Sequence, residues 1–144
     1  MTDQPSKKYE FVEGDTIEHQ GRTLKRIRAI RDFDEVEKGD LGGYIEKEEN
    51  LSHDGNCWVY QDAKVYDKAK VYENAFAQDD AELKDSAKAY GRAEISGGAL
   101  ICDTAKIFDN AVALGNIIIS GDSALSGTAI AVGYENRDDD YIFI

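Results

Sequence analysis

Two histidines are the first side chains to consider for chemistry, because histidine is the usual general base near neutral pH. They are His19 and His53, in a chain of 144 residues. His53 stands just before a long repeated segment that begins at Gly55, so a base at this junction could act together with a neighbouring chain. The alternative is a structural role, in which His53 is held by hydrogen bonds at the junction.

Metal and nucleophilic chemistry have weak support in the sequence. A three-histidine zinc site needs one more histidine than the chain contains. Cys57 occupies a position that looks like part of the core, and Cys102 has no Cys or His near it in the sequence. The pairs Gly42-Gly43 and Gly97-Gly98 lack the strand–helix context of a phosphate-binding loop. We therefore expect no metal and no cofactor.

The elements that position these residues are set by an internal repeat. From Gly55 to Val132 the chain divides without a gap into thirteen units of six residues. The third position is Ala in ten of the thirteen units, and the fifth is always Val, Ile, Leu or Ala. The units are GNCWVY, QDAKVY, DKAKVY, ENAFAQ, DDAELK, DSAKAY, GRAEIS, GGALIC, DTAKIF, DNAVAL, GNIIIS, GDSALS and GTAIAV.

Each column of the repeat has a structural interpretation. The third and fifth side chains point to the same side of a short strand, and their apolar character makes that side the core. The fourth and sixth then face outward, while the first two positions carry turn-forming residues. A corner after every strand predicts an all-β coil. A β-sandwich of short strands is the alternative, but it has no reason to keep Ala in one column.

This pattern resembles the hexapeptide-repeat family. The resemblance implies a left-handed parallel β-helix with three hexads per coil, covering residues 55–132. The segment GDLGGYIEKEENLSHDGNCWVY, at residues 39–60, is also similar to uncharacterised phage and prophage proteins. Residues 1–54 are predicted to form a small N-terminal β cap, with strands at Lys7–Val12, Thr16–His19 and Thr23–Ile30. Residues 133–144 are predicted to be an acidic and aromatic cap or tail, which closes the last coil or pairs with another chain.

With three hexads per coil, outward residues eighteen positions apart stack on one face. The first face is unusually apolar for an exterior, so we expect it to be an oligomer interface. The alternative is that the N-terminal segment or the tail covers it. The resemblance favours a trimer, and a dimer remains open. The predicted interface residues are Trp58, Tyr60, Phe76, Val112, Leu114, Ile130 and Val132.

The third face is predicted to carry two parallel ladders, one of lysines and one of aromatic residues. Like charges one strand spacing apart need counter-charges, ring faces or a bound anion. We expect an anionic ligand or an acidic partner here, and the alternative is a solvated lysine row beside stacked rings. The residues are Lys70, Tyr72, Lys88, Tyr90, Lys106 and Phe108.

The charge and the resemblance together limit the function. A net charge of −12 argues against direct nucleic-acid binding, although an acidic rod could imitate nucleic acid. No long apolar run predicts a membrane helix, and no signal peptide is expected, so a cytoplasmic location in a bacterial host cell is predicted. We expect a non-enzymatic, oligomeric, phage-type protein that captures or blocks a host molecule, with bacterial defence as the target. The alternative is a hexapeptide-repeat acyltransferase with an acyl-CoA donor and His53 as its base.

Overall fold

The computed structural model describes residues 6–133 of the chain. Within this range the regular structure is β apart from one 3-10 helix, Glu48–Asn50. The strands are β1 Tyr9–His19, β2 Arg22–Ala29, β3 Leu41–Ile45, β4 Trp58–Val59, β5 Lys64–Val65, β6 Lys70–Val71, β7 Phe76–Ala77, β8 Glu82–Leu83, β9 Lys88–Ala89, β10 Glu94–Ile95, β11 Leu100–Ile101, β12 Lys106–Ile107, β13 Val112–Gly115, β14 Ile118–Ile119, β15 Ala124–Leu125 and β16 Ile130–Gly133.

The short strands stack into three parallel sheets, which confirms the predicted β-helix. The first face is formed by β4, β7, β10, β13 and β16. The second contains β3, β5, β8, β11 and β14, and the third contains β6, β9, β12 and β15. Partners are eighteen residues apart: Phe76 pairs with Glu94, and Lys70 pairs with Lys88. The solenoid has about five turns.

The inward columns are buried as predicted. The fifth-position side chains are all buried, from Val59 through Ile107 to Ala131. The alanine column is buried from Ala63 to Ala111 and becomes exposed only at Ala129, near the C-terminal end of the described coils. Small alanines suit this column because they let the corners of the coil approach closely.

The first position of every hexad adopts a left-handed backbone conformation. Seven of these residues are not glycine, and their φ angles lie between 57° and 61°. This conformation costs about 1–2 kcal/mol for a residue with a Cβ. A side-chain hydrogen bond offsets part of the cost: Asp79 Oδ2 accepts the Gly97 N–H at 3.0 Å, and Asp85 Oδ2 accepts the Asp103 N–H at 2.9 Å. Acidic side chains in this column therefore link several of the corners to the next coil.

The solenoid begins before the first hexad. Strand β3 pairs in parallel with β5, and Leu51 forms a parallel bridge with Val71, so residues 41–54 make an additional rung. Gly43 permits this close stacking, because a Cβ there would lie 2.4 Å from the Ala63 carbonyl oxygen. The solenoid is therefore longer than the thirteen hexads by this one rung.

The N-terminal β cap is a hairpin followed by a loop. Strands β1 and β2 are antiparallel, with a shift in register between Phe11 and Thr16, and β2 pairs with β3. The β1 strand runs through both of the first two predicted strands. The hairpin tip folds over the outer side of the second face, where Ile17 packs against the cluster of Leu24, Tyr44 and Tyr66.

The loop after β2 corrects the prediction for Trp58. Phe33 packs edge-on against Trp58, with ring centroids 5.2 Å apart, and Tyr9 contacts the same indole. Trp58 is only 1% exposed, so it is not available to a second chain. An apolar outward position next to the cap became part of the core because the cap covers it.

Two further findings concern membrane-spanning helices and the C-terminal tail. No helix among residues 6–133 is long and apolar enough to cross a membrane. The predicted tail lies outside the described residues, except for Gly133.

Candidate functional site

A histidine–glutamate pair lies where the hairpin tip meets the second face. His19 ends β1, and its Nε2 lies 2.9 Å from Oε2 of Glu82 in β8. The Tyr66 hydroxyl donates a hydrogen bond to the same carboxylate oxygen. The rings of His19 and Tyr66 meet edge to face, with centroids 5.4 Å apart. Three segments far apart in sequence thus converge on one carboxylate.

The electrostatics of this pair determine which nitrogen of the His19 imidazole carries the proton. Burial alone would raise the pKa of Glu82, but the hydrogen bonds from Tyr66 and His19 outweigh it and lower that pKa. Burial and the bond to Glu82 raise the pKa of the Tyr66 hydroxyl, which stays protonated. An ionised carboxylate only accepts hydrogen bonds, so His19 Nε2–H donates to Glu82. In the neutral imidazole the lone pair is therefore on Nδ1.

Nδ1 of His19 is chemically available. Among residues 6–133 no hydrogen-bond donor engages it, and the His19 side chain is 24% exposed. A histidine oriented by a carboxylate, with one free nitrogen, has the arrangement of a general base. No role was predicted for His19, because nothing in the sequence connects it with Glu82, which is 63 positions away. The one sequence feature that pointed to this site was Glu82 itself, an outward carboxylate in register with Lys64.

His53, the predicted alternative base, is held at both ring nitrogens. Its Nδ1 accepts the backbone N–H of Lys8 at 3.1 Å, and its Nε2 lies 2.8 Å from Glu48 Oε1. The ring stacks on Tyr9 with centroids 4.1 Å apart. The neutral imidazole therefore has no free lone pair, and this geometry matches the structural role considered for His53.

The ladders of the third face form in the predicted register. Tyr72 and Tyr90 stack with centroids 4.9 Å apart, and Tyr90 and Phe108 stack at 5.0 Å. Lys88 pairs in register with Lys70 and Lys106, and none of the three lysines forms an ion pair within the described residues. Binding of an anionic ligand or acidic partner to these ladders stays a prediction.

The remaining residues predicted for the oligomer interface divide into two groups. Tyr60 and Phe76 are half-buried and meet edge to face, with centroids 5.7 Å apart. Val112 and Leu114 are also half-buried, whereas Ile130 is 64% exposed and Val132 is exposed too. Self-association through this face stays a prediction.

One group of potential metal ligands occurs within residues 6–133: Asp85, Cys102 and Asp103. Asp85 already accepts the Asp103 N–H, and Asp103 accepts the Gly121 N–H. Burial raises the pKa of the Cys102 thiol, which disfavours the thiolate that binds metals. These side chains are therefore explained by the coil corners.

Comparison with known proteins finds a similarity over a short segment of the chain. The chain is 43% identical over 42 residues to a protein of Escherichia coli (strain K12) named "Uncharacterized acetyltransferase YdcK". The match covers 29% of this chain and 13% of that protein, so the chain spans a small part of the relative's length. No protein-family model matches the chain.

This similarity corrects the predicted function class. The expectation of a non-enzymatic protein is wrong, because the relative is named as an acetyltransferase and the β-helix is typical of hexapeptide acyltransferases. The alternative considered from the sequence, an acyltransferase, is the better supported one. The resemblance to phage proteins, the role against host defence and the imitation of nucleic acid stay predictions.

Proposed function

We propose that the protein forms all or part of an acyltransferase. The enzyme uses an acyl-CoA donor, and His19 is its general base. The observation that carries the assignment of the base is the His19–Glu82 pair, which engages Nε2 while no residue in the range 6–133 bonds to Nδ1. The similarity to a named acetyltransferase supports the reaction class. Because the chain spans only 13% of that relative, the donor and the reaction are part of the proposal.

In the proposed reaction, His19 removes a proton from the acceptor. Nδ1 takes the proton of a hydroxyl or amine while the acceptor atom attacks the carbonyl carbon of the thioester. The C–S bond then breaks, the acyl group stays on the acceptor, and the imidazolium returns the proton to the CoA thiolate. Glu82 stabilises the imidazolium and holds the neutral ring in the tautomer whose lone pair is on Nδ1, as the carboxylate of a catalytic triad fixes the tautomer of its histidine.

The surface beside His19 supports this assignment. Beyond Glu82 on the second face, the in-register positions are Leu100 and Ile118, and Ile118 is exposed. Among residues 6–133, the hairpin packs on the N-terminal end of this face, against Tyr44 and Tyr66. Glu82, and with it His19, therefore lies next to two apolar outward positions, beside which the acyl group of the donor would be held in the proposed reaction.

The test is consumption of acetyl-CoA by the protein with a panel of hydroxylated and amine acceptors. His19→Gln keeps a hydrogen-bond donor for Glu82 but removes the basic nitrogen, and His53→Gln is the matched control. We expect His19→Gln to lower turnover by about 10²–10⁴-fold, the usual contribution of a general base. His53→Gln should retain most of the turnover of the folded protein.

Two outcomes would contradict the proposal. Full turnover in His19→Gln, with loss in His53→Gln, would return the base to His53 and refute the assignment of His19. Failure of the wild-type chain both to bind CoA in a calorimetric titration and to consume acetyl-CoA with any acceptor would refute the acyltransferase itself.

A further inference from the structure

A cleft of about 650 Å³ lies beside the first face, away from the His19–Glu82 pair on the second. The aromatic side chains of Tyr60 and Phe76 line it, together with Asp34 and Glu35 of the cap loop. Neither the repeat nor the proposed acyl transfer explains this combination of side chains.

Asp34 and Glu35, which line the cleft, lie between two buried neighbours in the chain. Phe33 and Val36 exchange backbone hydrogen bonds of 2.9 and 2.8 Å, and both side chains are buried. Asp34 and Glu35, between them, therefore project from a fixed loop. Within the described residues neither carboxylate forms an ion pair.

The negative charges of Asp34 and Glu35 affect the aromatic side chain of Tyr60. Burial, and then the charges of Asp34 and Glu35, raise the pKa of the Tyr60 hydroxyl. The faces of Tyr60 and Phe76 are themselves electron-rich and attract cations. The side chains of Asn56 and Gln78 add amide oxygens as hydrogen-bond acceptors.

The balance of charge selects the kind of ligand. Arg92 also lines the cleft, but it supplies one positive charge against two carboxylates. The whole chain carries a net charge of −12, which raises the local concentration of cations. With a neutral or anionic ligand, the single positive charge of Arg92 would leave at least one of the two carboxylates without a counter-charge.

We propose that this cleft binds an aliphatic ammonium compound, with its cationic groups between the Asp34 and Glu35 carboxylates and the Tyr60 and Phe76 rings. Carboxylates neutralise an ammonium ion and accept its N–H bonds, and aromatic faces stabilise it where water is partly excluded. This inference is independent of the acyltransferase assignment.

The test is calorimetric titration with spermidine at fixed low ionic strength. The wild-type protein is expected to show saturable binding, whereas 1,8-octanediol, of about the same length but uncharged, should give no signal. The Asp34→Asn/Glu35→Gln variant should weaken spermidine binding by about tenfold or more, as expected for loss of charge-assisted hydrogen bonds.

The matched control removes two charges elsewhere. Glu13 and Asp80 are exposed and do not line the cleft, so Glu13→Gln/Asp80→Asn should change the affinity by less than about twofold at this ionic strength. Phe76→Leu keeps an apolar side chain but removes the ring, and it should weaken binding by about three- to tenfold.

Several results would overturn the proposal. They are failure of spermidine to saturate, equal binding of octanediol, or an equal loss in the Glu13→Gln/Asp80→Asn control. A further one is a self-associated wild-type chain, measured by light scattering, whose Asp34→Asn/Glu35→Gln variant binds spermidine normally. That result would make the cleft an interface between copies of the chain.

Discussion

The two histidines lie in similar pairs at opposite ends of the cap, and the difference between them is at a single atom. Each Nε2 lies within 2.9 Å of a glutamate oxygen. Nδ1 of His53 accepts the Lys8 backbone N–H, while Nδ1 of His19 has no such donor among the described residues. A histidine–carboxylate pair is therefore insufficient to identify a base, because the second nitrogen decides whether a lone pair is available.

The two pairs also differ in how far solvent reaches them. The Glu48 side chain is 43% exposed, whereas that of Glu82 is 22% exposed and also bonded to Tyr66. Water screens the first pair more strongly, so its ionic contribution is smaller. We therefore expect His53 to stabilise the fold mainly through its hydrogen bond with the Lys8 backbone and its stacking on Tyr9. We expect His19 to matter mainly for the proposed reaction.

The largest expected effect on stability is that of His53→Ala. This change leaves the Lys8 N–H without its acceptor and removes the stacked ring beside Tyr9, so the free energy of unfolding should fall by about 1–3 kcal/mol. Urea unfolding followed by circular dichroism measures it. His19→Ala is the control, because no backbone N–H in the described part of the chain bonds to its ring. An equal loss of stability in both variants would contradict the difference between the two histidines.

A smaller effect is expected for Tyr66→Phe, which keeps the packing against Leu24 and Tyr44 but removes the donor to Glu82. The pKa of Glu82 should rise in this variant, because the Tyr66 hydrogen bond helps to lower it. Carbon-13 NMR titration of the Glu82 carboxyl group measures the change. Turnover should fall by about two- to tenfold through loss of orientation, less than for loss of the base itself.

Tyr90→Phe serves as the control for that experiment, since Tyr90 lies in the ladder of the third face and does not contact Glu82. If Glu82 titrates identically in wild type and Tyr66→Phe, the hydroxyl does not hold the carboxylate, and Tyr66 is only a packing residue.

The smallest expected effect is on acid stability. The pKa of Glu82 is lowered in the folded state from 4.5, so its contribution is fully present above pH 4.5 and is lost as pH falls through the folded value. Glu48 is also lowered, chiefly by its hydrogen bond to His53, but its exposure weakens the effect. Glu82→Gln should therefore flatten the loss of stability below pH 4.5 more than Glu48→Gln. Chemical unfolding from pH 3 to 6 compares them, and the reverse order would contradict the assignment.

The regular part of the fold was predictable because each hexad repeats one local rule. Burial of the third and fifth positions and the register of eighteen residues follow from that rule, as Ile95 and the Lys70–Lys88 pair illustrate. Residues 41–54 obey no hexad, yet Tyr44 and Leu51 join the same sheets. That rung depends on Gly43 allowing close approach to β5, which no column of the repeat reveals.

The candidate site was less predictable for the same reason. His19 reaches Glu82 only because the hairpin folds over the second face, and that packing depends on Ile17 meeting Tyr44 and Tyr66. Trp58 shows the same limit, since its outward position became buried when the Phe33 loop packed on it. The cap has no repeated pattern, so the sequence does not indicate which residues of the coil it will contact.

The sequence by itself determined the solenoid, its inward columns and the stacking of its outer ladders, because backbone pairing carries a local pattern from coil to coil. Tertiary structure alone decided which histidine has a nitrogen that no described residue engages, which aromatic residue is buried, and where two carboxylates line a cleft. These outcomes depend on how residues distant in sequence fill the space left between cap and coil. Packing determines that arrangement only when the whole chain is folded.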